Sequence, residues 1–246
     1  MATYFTNFSE FAVGTFSDAD WSERFYWGAC IPKIESDGDL GGQCLYMSQD
    51  GGLPYFLSYD GLGSQATLDL LTKVRCFQYN DTKSIRLYAR GSGSAATMQA
   101  YYVQLDKYYG RIKLFKKLAN VYPETQIGLG NFYFNINTWV WVRFNLSGSA
   151  LKAKAWVDGS SEQPDWAIEV TDSDIGAGGW FGPGFYHRAS DFDYFSVGTG
   201  GDTAPDPVPA CLTAVSLLAP NLYTYSLRTE SIIATDIEPM VWPMNF

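Results

Sequence analysis

Tryptophans and cations alternate with apolar residues over residues 139–146 and 151–158, and these are the side chains whose types and spacing indicate binding chemistry. A period of two is typical of half-buried β-strands. Turn-forming residues at 147–150 separate the two segments, which predicts a short hairpin. One face of this hairpin is apolar, and the other carries Trp139, Trp141, Arg143, Lys152, Lys154, Trp156 and Asp158.

The polar face of the hairpin supports two interpretations. If Leu146 lies opposite Leu151, then Trp141 lies opposite Trp156. Indole rings on an open sheet are flat platforms for sugar rings, and long polar side chains beside them can bond sugar hydroxyls. Alternatively, a loop seals the two tryptophans into a second, smaller core, and acidic neighbours pair with the cations. The candidate ligand-binding residues are Trp139, Trp141, Arg143, Lys154, Trp156 and His187.

His187 is the single histidine, so a metal site built from several histidines is excluded. The sequence also contains no Gly-x-Ser-x-Gly nucleophile elbow. His187 follows the glycine- and proline-containing segment 182–184, which predicts a loop. There it would either line a ligand site or bond to backbone groups.

Composition narrows the class of protein. The 246 residues are 17% aromatic and 17% charged and include 24 glycines, which suits a compact β-rich domain and argues against disorder. The net charge of −9 argues against a positively charged surface that could bind duplex nucleic acid. The sequence has no apolar run long enough to cross a membrane and no export signal. This predicts a soluble chain without membrane insertion. Cys30 and Cys44 are either a local disulfide or two buried thiols.

About a dozen short β-prone segments, without a convincing helical period or an internal repeat, predict the fold class. We expect an all-β, two-sheet antiparallel jelly-roll sandwich over residues 1–202. The composition changes near residue 203, and residues 203–246 hold six of the eleven prolines. This segment is predicted to be an extended C-terminal arm whose apolar side chains dock on a neighbouring subunit or another protein and drive homo-oligomerisation. The alternative is that the arm folds back over its own sandwich.

The order of several motifs resembles the concanavalin A-like lectin/glucanase domain, and more narrowly the laminin-G-like version found in bacteriophage virion proteins. The resemblance spans roughly residues 3–201. The residues that carry it are Phe5 to Ser9, Asp20-Trp21-Ser22, Trp141-Val142-Arg143, Gly148, Leu151 to Trp156, Asp158-Gly159, Glu162, Pro164, Trp166, Asp172, Gly178 and Asp191 to Thr199.

The resembled family includes glucanases, so the sequence must be searched for the catalytic residues of these enzymes. Their motif resembles Glu-x-Asp-x-x-Glu, whose alternating carboxylates act about 5 Å apart. The nearest match is residues 169–174, and its spacing is wrong. Two further pairs of acids would each share one face of a strand, namely Asp172 with Asp174 and Asp191 with Asp193. They are explained as acids at strand ends that balance the charge of nearby cations. We therefore expect no catalysis.

From the resemblance we expect a bacteriophage virion protein, assembled in the host cytoplasm, that contacts other virion proteins and acts in particle assembly or decoration and in attachment to a surface glycan. The alternatives are a glycan-degrading hydrolase and a purely structural cement or fibre protein. No cofactor is predicted. Members of the family bind calcium in some cases, and Asp37, Asp39 and Asp50 lie on glycine-rich loops that suit such a site, although no coordinating spacing singles them out.

Overall fold

The computed structural model describes residues 2–24, 30–48, 54–77, 85–93, 97–176, 178–186 and 189–207. The compact unit to which they belong extends to Pro207. Its strands are β1 Thr3–Thr6, β2 Gly14–Thr15, β3 Trp21–Glu23, β4 Lys33–Glu35, β5 Cys44–Met47, β6 Pro54–Tyr59, β7 Leu68–Cys76, β8 Ile85–Ser92, β9 Gln99–Asp106, β10 Arg111–Lys117, β11 Thr125–Asn131, β12 Val140–Ser147, β13 Ala150–Val157, β14 Ile168–Thr171, β15 Trp180–Tyr186 and β16 Ser190–Thr199.

The strands form two sheets in which the paired strands run antiparallel. The nine-stranded sheet has the order β14-β13-β12-β7-β16-β5-β4-β2, and β1 also pairs with β16. The seven-stranded sheet has the order β11-β10-β9-β8-β15-β6-β3. The predicted all-β, two-sheet antiparallel sandwich is therefore confirmed. No helix long and apolar enough to span a membrane occurs in the described ranges.

The central hairpin has the register that its side-chain pattern predicts. Leu146 pairs with Leu151, and Trp141 pairs with Trp156. β12 and β13 are joined by a tight turn in which Gly148 has a φ of 57°, a left-handed backbone conformation that glycine adopts without steric cost. Because β-strand side chains alternate, this register places every apolar residue of the hairpin on one face.

The main core lies between the two sheets. Strands of the nine-stranded sheet contribute buried aliphatic and aromatic side chains such as Leu70, Phe144 and Phe195, and strands of the seven-stranded sheet contribute Leu87 and Val103. Each sheet also has an outer face, which points away from the other sheet.

Cys30 and Cys44 are both buried and are not joined by a disulfide, so of the two alternatives for this pair the structure has two buried thiols. Burial raises the pKa of the Cys30 thiol to about 11. The first residues of the predicted arm lie against the sandwich, where Ala204 is buried and its N–H donates to Asp69 at 2.9 Å. Residues 208–246 lie outside the described residues, so the arm's role in assembly stays a prediction.

Candidate functional site

The hairpin tryptophans on the outer face of the nine-stranded sheet are covered. Trp141 and Trp156 stack with ring centroids 6.1 Å apart and 13° between the ring planes, and each is only 7% exposed. They form a buried cluster with Leu71, Tyr194 and Ala204. These rings therefore present no open platform to solvent in this structure.

The two candidate ligand-binding cations of this face are buried and form ion pairs. The guanidinium of Arg143 is 3.1 Å from Asp69 Oδ2 and 2.9 Å from Asp206 Oδ1, and Lys154 Nζ is 2.8 Å from Glu162 Oε1. This geometry is the one described by the second interpretation of the hairpin, a smaller core with paired cations. Sugar contact by these residues stays a prediction, and it requires the covering segments to move away from the sheet.

The other two predicted ligand-binding residues are placed differently. Trp139 is half-buried, with the Arg75 guanidinium 4.4 Å and Lys73 Nζ 5.8 Å from its ring centroid. Its aromatic face is therefore in contact with cations of its own sheet. His187 lies outside the described residues, and its role stays a prediction.

Asp191 and Asp193, two of the acids weighed for catalysis, lie on buried β16. Arg75 Nη2 is 2.8 Å from Asp191 Oδ2, and Lys73 Nζ is 3.7 Å from Asp193 Oδ2. Asp193 also accepts a hydrogen bond from the backbone N–H of Asp39 at 2.8 Å. Burial is the largest influence on both carboxyls and raises the pKa of each to about 6, although the neighbouring cations oppose that shift.

Asp172 and Asp174, the other two acids, share one cation. Lys116 Nζ is 2.5 Å from Asp172 Oδ2 and also pairs with Asp174. Burial disfavours the Asp172 carboxylate, but hydrogen bonds from Lys116 and Tyr101 outweigh burial and lower the pKa of Asp172. A general acid at neutral pH needs a raised pKa, and the pKa of Asp172 is shifted in the opposite direction.

The acidic loop considered for calcium engages cations instead. Asp37 pairs with Arg75, and Asp39 pairs with Lys73. Asp50 lies outside the described residues. In the part of the chain that the structure describes, no group of three or more His, Cys, Asp or Glu side chains is arranged to hold a metal ion.

A cleft of about 420 Å³ opens on the other sheet, where the central strands of the seven-stranded sheet end. It lies between the loop that follows β6, the end of β8 and the start of β15. Its size falls within the range of small-ligand sites, which is roughly 300–1,000 Å³. We call it the Trp180 cleft, and its lining residues are Arg24, Asp60, Gly63, Ser64, Gly91, Ser92, Gly93, Gly179 and Trp180.

Glycines allow the indole of Trp180 to lie in this cleft. Trp180 pairs with Gly91 across the β15–β8 ladder. A Cβ atom on Gly91 would be 2.1 Å from a ring carbon of Trp180, so the ring rests where any other residue would place a side chain. Trp180 also stacks on Phe56, with ring centroids 4.7 Å apart and 21° between the ring planes. The indole is thereby fixed in position while remaining half-buried.

A charged pair completes the polar side of the Trp180 cleft. Asp60 accepts hydrogen bonds from Ser22 Oγ at 2.5 Å, Ser58 Oγ at 2.7 Å and Arg24 Nη2 at 3.0 Å. Arg24 Nε also donates to Ser58 Oγ at 3.0 Å. The Arg24 and Asp60 side chains are 39% and 32% exposed, so the pair is held in one geometry but still reaches solvent. A fixed aromatic ring beside a guanidinium and a carboxylate can stack on an apolar sugar face and bond its hydroxyls.

Sequence reasoning missed the Trp180 cleft because its parts come from four separate segments. Residues 24, 60–64, 91–93 and 179–180 meet only when β3, β6, β8 and β15 pair in the same sheet. The sequence contains one local indication of this site, a tryptophan directly after two glycines in Gly178-Gly179-Trp180. Such a cluster indicates a close approach of backbone and ring, but it does not indicate which partners lie opposite.

Comparison with solved structures defines the class of fold. The carbohydrate binding module CBM66 from Bacillus subtilis matches with a TM-score of 0.52 and 16% identity over 70% of this chain and 91% of that one. The exoplasmic/lumenal domain of VIP36, in a Ca²⁺/Man3GlcNAc-bound form, matches with a TM-score of 0.51 and 11% identity over 76% and 86%. A Bacillus subtilis protein of unknown function with a galectin-like fold matches with a TM-score of 0.50 and 9% identity over 73% and 89%.

No protein-family model matches the sequence, and no curated protein matches it. The class is therefore established by structure: the chain has a lectin-like β-sandwich fold of the galectin and concanavalin A type.

Proposed function

We propose that this domain binds carbohydrate and that the sugar occupies the Trp180 cleft. The observation that carries the proposal is the half-buried indole of Trp180 beside the solvent-reached pair of Arg24 and Asp60. Sugar rings have an apolar face that stacks on indoles and hydroxyls that bond to charged groups. The Trp180 cleft offers both within one small volume.

The structural neighbours support a carbohydrate ligand. One is a carbohydrate binding module, and another holds Ca²⁺ and Man3GlcNAc. Calcium is not required by the geometry of the Trp180 cleft, where the charged groups already satisfy each other through hydrogen bonds. The proposal therefore concerns direct contact between protein and sugar.

A glycan array followed by isothermal titration calorimetry tests this function. We expect wild type to bind a defined set of glycans, and we expect Trp180→Ala and Asp60→Asn to lose at least about tenfold in affinity for them, since each removes a group that orients the ligand. Trp139→Ala is the matched control, because it removes a half-buried tryptophan from the opposite sheet. The proposal is wrong if wild type binds no glycan, or if Trp139→Ala alone reduces binding.

We further propose that the domain binds glycans without cleaving them. The support is that Asp172, Asp174, Asp191 and Asp193 are each engaged by a lysine or arginine. Incubation of the protein with β-glucans and bacterial polysaccharides, read as released reducing ends, should give no signal above a heat-inactivated control. A sustained release of reducing ends would establish a hydrolase instead.

We also propose a setting for this binding activity, on the basis of the sequence resemblance alone. The domain would belong to a bacteriophage particle assembled in the host cytoplasm, where it would attach the particle to a surface glycan and contact other virion proteins. Mass spectrometry of purified particles from cells that carry the gene should detect the chain. Its absence from intact particles, with abundant free protein in the lysate, would contradict this setting.

A further inference from the structure

A second cleft, of about 260 Å³, adjoins the Trp180 cleft on the same rim of the sandwich. The segment 63–67 lines both clefts, with its first residues in the Trp180 cleft and Ala66 and Thr67 in the second. The end of β8 is also shared, because Gly91 lines one cleft and Arg90 lines the other. The two clefts are therefore lined by neighbouring residues of the same two chain segments.

Arg90 is the charged residue of the second cleft. It has a positive φ of 50° next to a register shift in the β8–β9 ladder. Its guanidinium donates from Nε to the Ala66 carbonyl at 2.9 Å and from Nη2 to the Gly148 carbonyl at 2.6 Å. These bonds hold the group between the end of β8 and the loops of the nine-stranded sheet. Arg90 is only 3% exposed.

The charge of Arg90 has no carboxylate partner within 4 Å among the described residues. Arg143, which is similarly buried, is matched by Asp69, Glu162 and Asp206. A guanidinium has five N–H donors, and the two carbonyls that bind Arg90 carry no net charge. Burial lowers the pKa of Arg90, the direction expected for a cation removed from water without a counter-ion.

Three residues that carry hydroxyl groups share the second cleft with Arg90. Thr67, Ser149 and Ser173 line the same cleft. Backbone hydrogen bonds fix two of these segments, since Asp172 N–H donates to the Ser149 carbonyl at 2.9 Å and Gly200 N–H donates to the Thr67 carbonyl at 3.3 Å.

The acidic residues on either side of Ser173 are already paired. Asp172 and Asp174 bind Lys116, and Asp172 also accepts a hydrogen bond from Tyr101. Neither carboxylate lies within ion-pair distance of Arg90 in the described ranges. The second cleft therefore offers one buried positive charge and several neutral donors.

We propose that the second cleft binds a small oxyanion, a carboxylate or sulfate group, and that the domain recognises acidic glycans whose charged substituent reaches Arg90. The oxyanion part stands on the second cleft alone, whereas the glycan part rests on the proposed function of the Trp180 cleft. Guanidinium groups bind carboxylates and sulfate-like anions through short, charge-assisted hydrogen bonds. A sugar on Trp180 would extend its acidic group along the shared segment toward Arg90.

The test measures thermal unfolding and calorimetric binding of the full chain with sodium sulfate, with glucuronate and with glucose, each against sodium chloride at matched ionic strength. We expect sulfate or glucuronate to raise the melting temperature by several degrees, since a ligand that binds only the folded state stabilises it. Glucose alone should give no such shift through the second cleft. Because sulfate also stabilises folded proteins without binding a site, only the part of its response that Arg90→Gln removes is counted. Such a response confined to sulfate assigns sulfated sugars, and one confined to glucuronate assigns uronic acids.

Two variants keep the proposal falsifiable. Arg90→Gln should lose at least about tenfold in oxyanion affinity, since it removes the charge. Because this variant also loses bonds to two carbonyls, Ser149→Asp is the second. It lines the same cleft and would place a carboxylate near Arg90, so we expect a higher melting temperature without sulfate and no further gain with it.

The outcomes separate the two proposals. An equal response to sulfate, glucuronate and chloride in wild type overturns the oxyanion site, even if neutral glycans still bind at Trp180. An oxyanion response that Ser149→Asp leaves intact also overturns it. If Trp180→Ala leaves both the oxyanion response and all glycan binding unchanged, the second cleft stands and the proposed role of the Trp180 cleft fails.

Discussion

Trp141 stacks on Trp156 across the β12–β13 hairpin, and the pair is buried on the outer face of its own sheet. The indole N–H of Trp141 donates to Asp158 Oδ1 at 2.6 Å, which satisfies its polar atom. This arrangement makes the two tryptophans part of a second, smaller core. Their contribution is therefore to the stability of the sandwich.

Replacement of either tryptophan should destabilise the protein without weakening glycan binding at Trp180. Trp141→Ala and Trp156→Ala each leave a cavity, so we expect the free energy of unfolding to fall by about 3–5 kcal/mol. Urea denaturation followed by circular dichroism measures this change. A loss of glycan affinity with unchanged stability would instead show that the pair contacts the ligand.

Stability should decrease as the pH rises from about 4.5 to 6.5. Burial raises the pKa of Asp191 and Asp193 to about 6, whereas aspartates in unfolded chains titrate near 4. Between these values the folded protein binds more protons than the unfolded chain, so the free energy of unfolding falls with increasing pH. One pKa unit corresponds to about 1.4 kcal/mol, so the total change is a few kcal/mol.

Urea denaturation across this pH range checks the prediction. Asp193→Asn supplies the control, because the amide keeps the shape of the carboxyl but does not titrate. Its stability should vary less with pH than that of wild type. Stability that rises over the same range would mean that Lys73 and Arg75 dominate the titration of these acids.

Gly91→Ala should displace the indole of Trp180. The new Cβ would lie 2.1 Å from a ring carbon, and such overpacking costs about 1–3 kcal/mol. We expect glycan affinity to fall with stability. Gly128→Ala on β11 is the control, because its new Cβ would lie 2.4 Å from Ile168 Cγ2 and so overpacks a position that lines neither cleft. Equal binding by the two variants would show that the position of the ring is unimportant.

Shortening the chain should separate local packing from assembly. A chain that ends at Asp202 loses the Ala204 N–H bond to Asp69 and the Pro205 carbonyl that accepts from Tyr194 at 2.8 Å. We expect it to be less stable by about 2 kcal/mol or more, since an unsatisfied buried polar group is costly. A chain that ends at Pro207 keeps these bonds and should match the full chain in stability.

Light scattering on the same chains tests the predicted arm. If residues 208–246 drive homo-oligomerisation, the full chain is an oligomer and the chain ending at Pro207 is a monomer. If both are monomers, the arm does not drive assembly. A chain ending at Pro207 that is also much less stable would favour the alternative that the arm folds back on its own sandwich.

The fold was predictable because strand pairing follows from alternation in the sequence. The register of Trp141 with Trp156 follows from a short turn and one apolar face. A covered face was one of the two interpretations of the sequence, but the covering segments could not be identified, because Leu40 and Ala204 lie far from the hairpin along the chain in both directions. Alternation shows that two side chains share a face, but it does not show whether a distant segment lies over that face.

The candidate site was less predictable than the fold for a related reason. Asp60 is bonded by Ser22 and Arg24, which reach it only through the β3–β6 pairing. The buried position of Arg90 could not be predicted from the sequence, because Arg90 fits the alternating pattern of β8. The structure departs from that pattern where the register shifts after Ala89. Sites built from loop residues of several strands depend on topology, which residue spacing alone does not give.

The position of the bound sugar can be read from the indole N–H signals in ¹H–¹⁵N correlation spectra during titration with a glycan from the array. Assignment requires Trp180→Phe, Trp141→Phe and Trp156→Phe. If the sugar occupies the Trp180 cleft, the Trp180 signal shifts in proportion to occupancy, while the signals of Trp141 and Trp156 stay in place. A shift of the Trp141 and Trp156 signals with an unchanged Trp180 signal would contradict the proposed site and return the ligand to the outer face of the nine-stranded sheet.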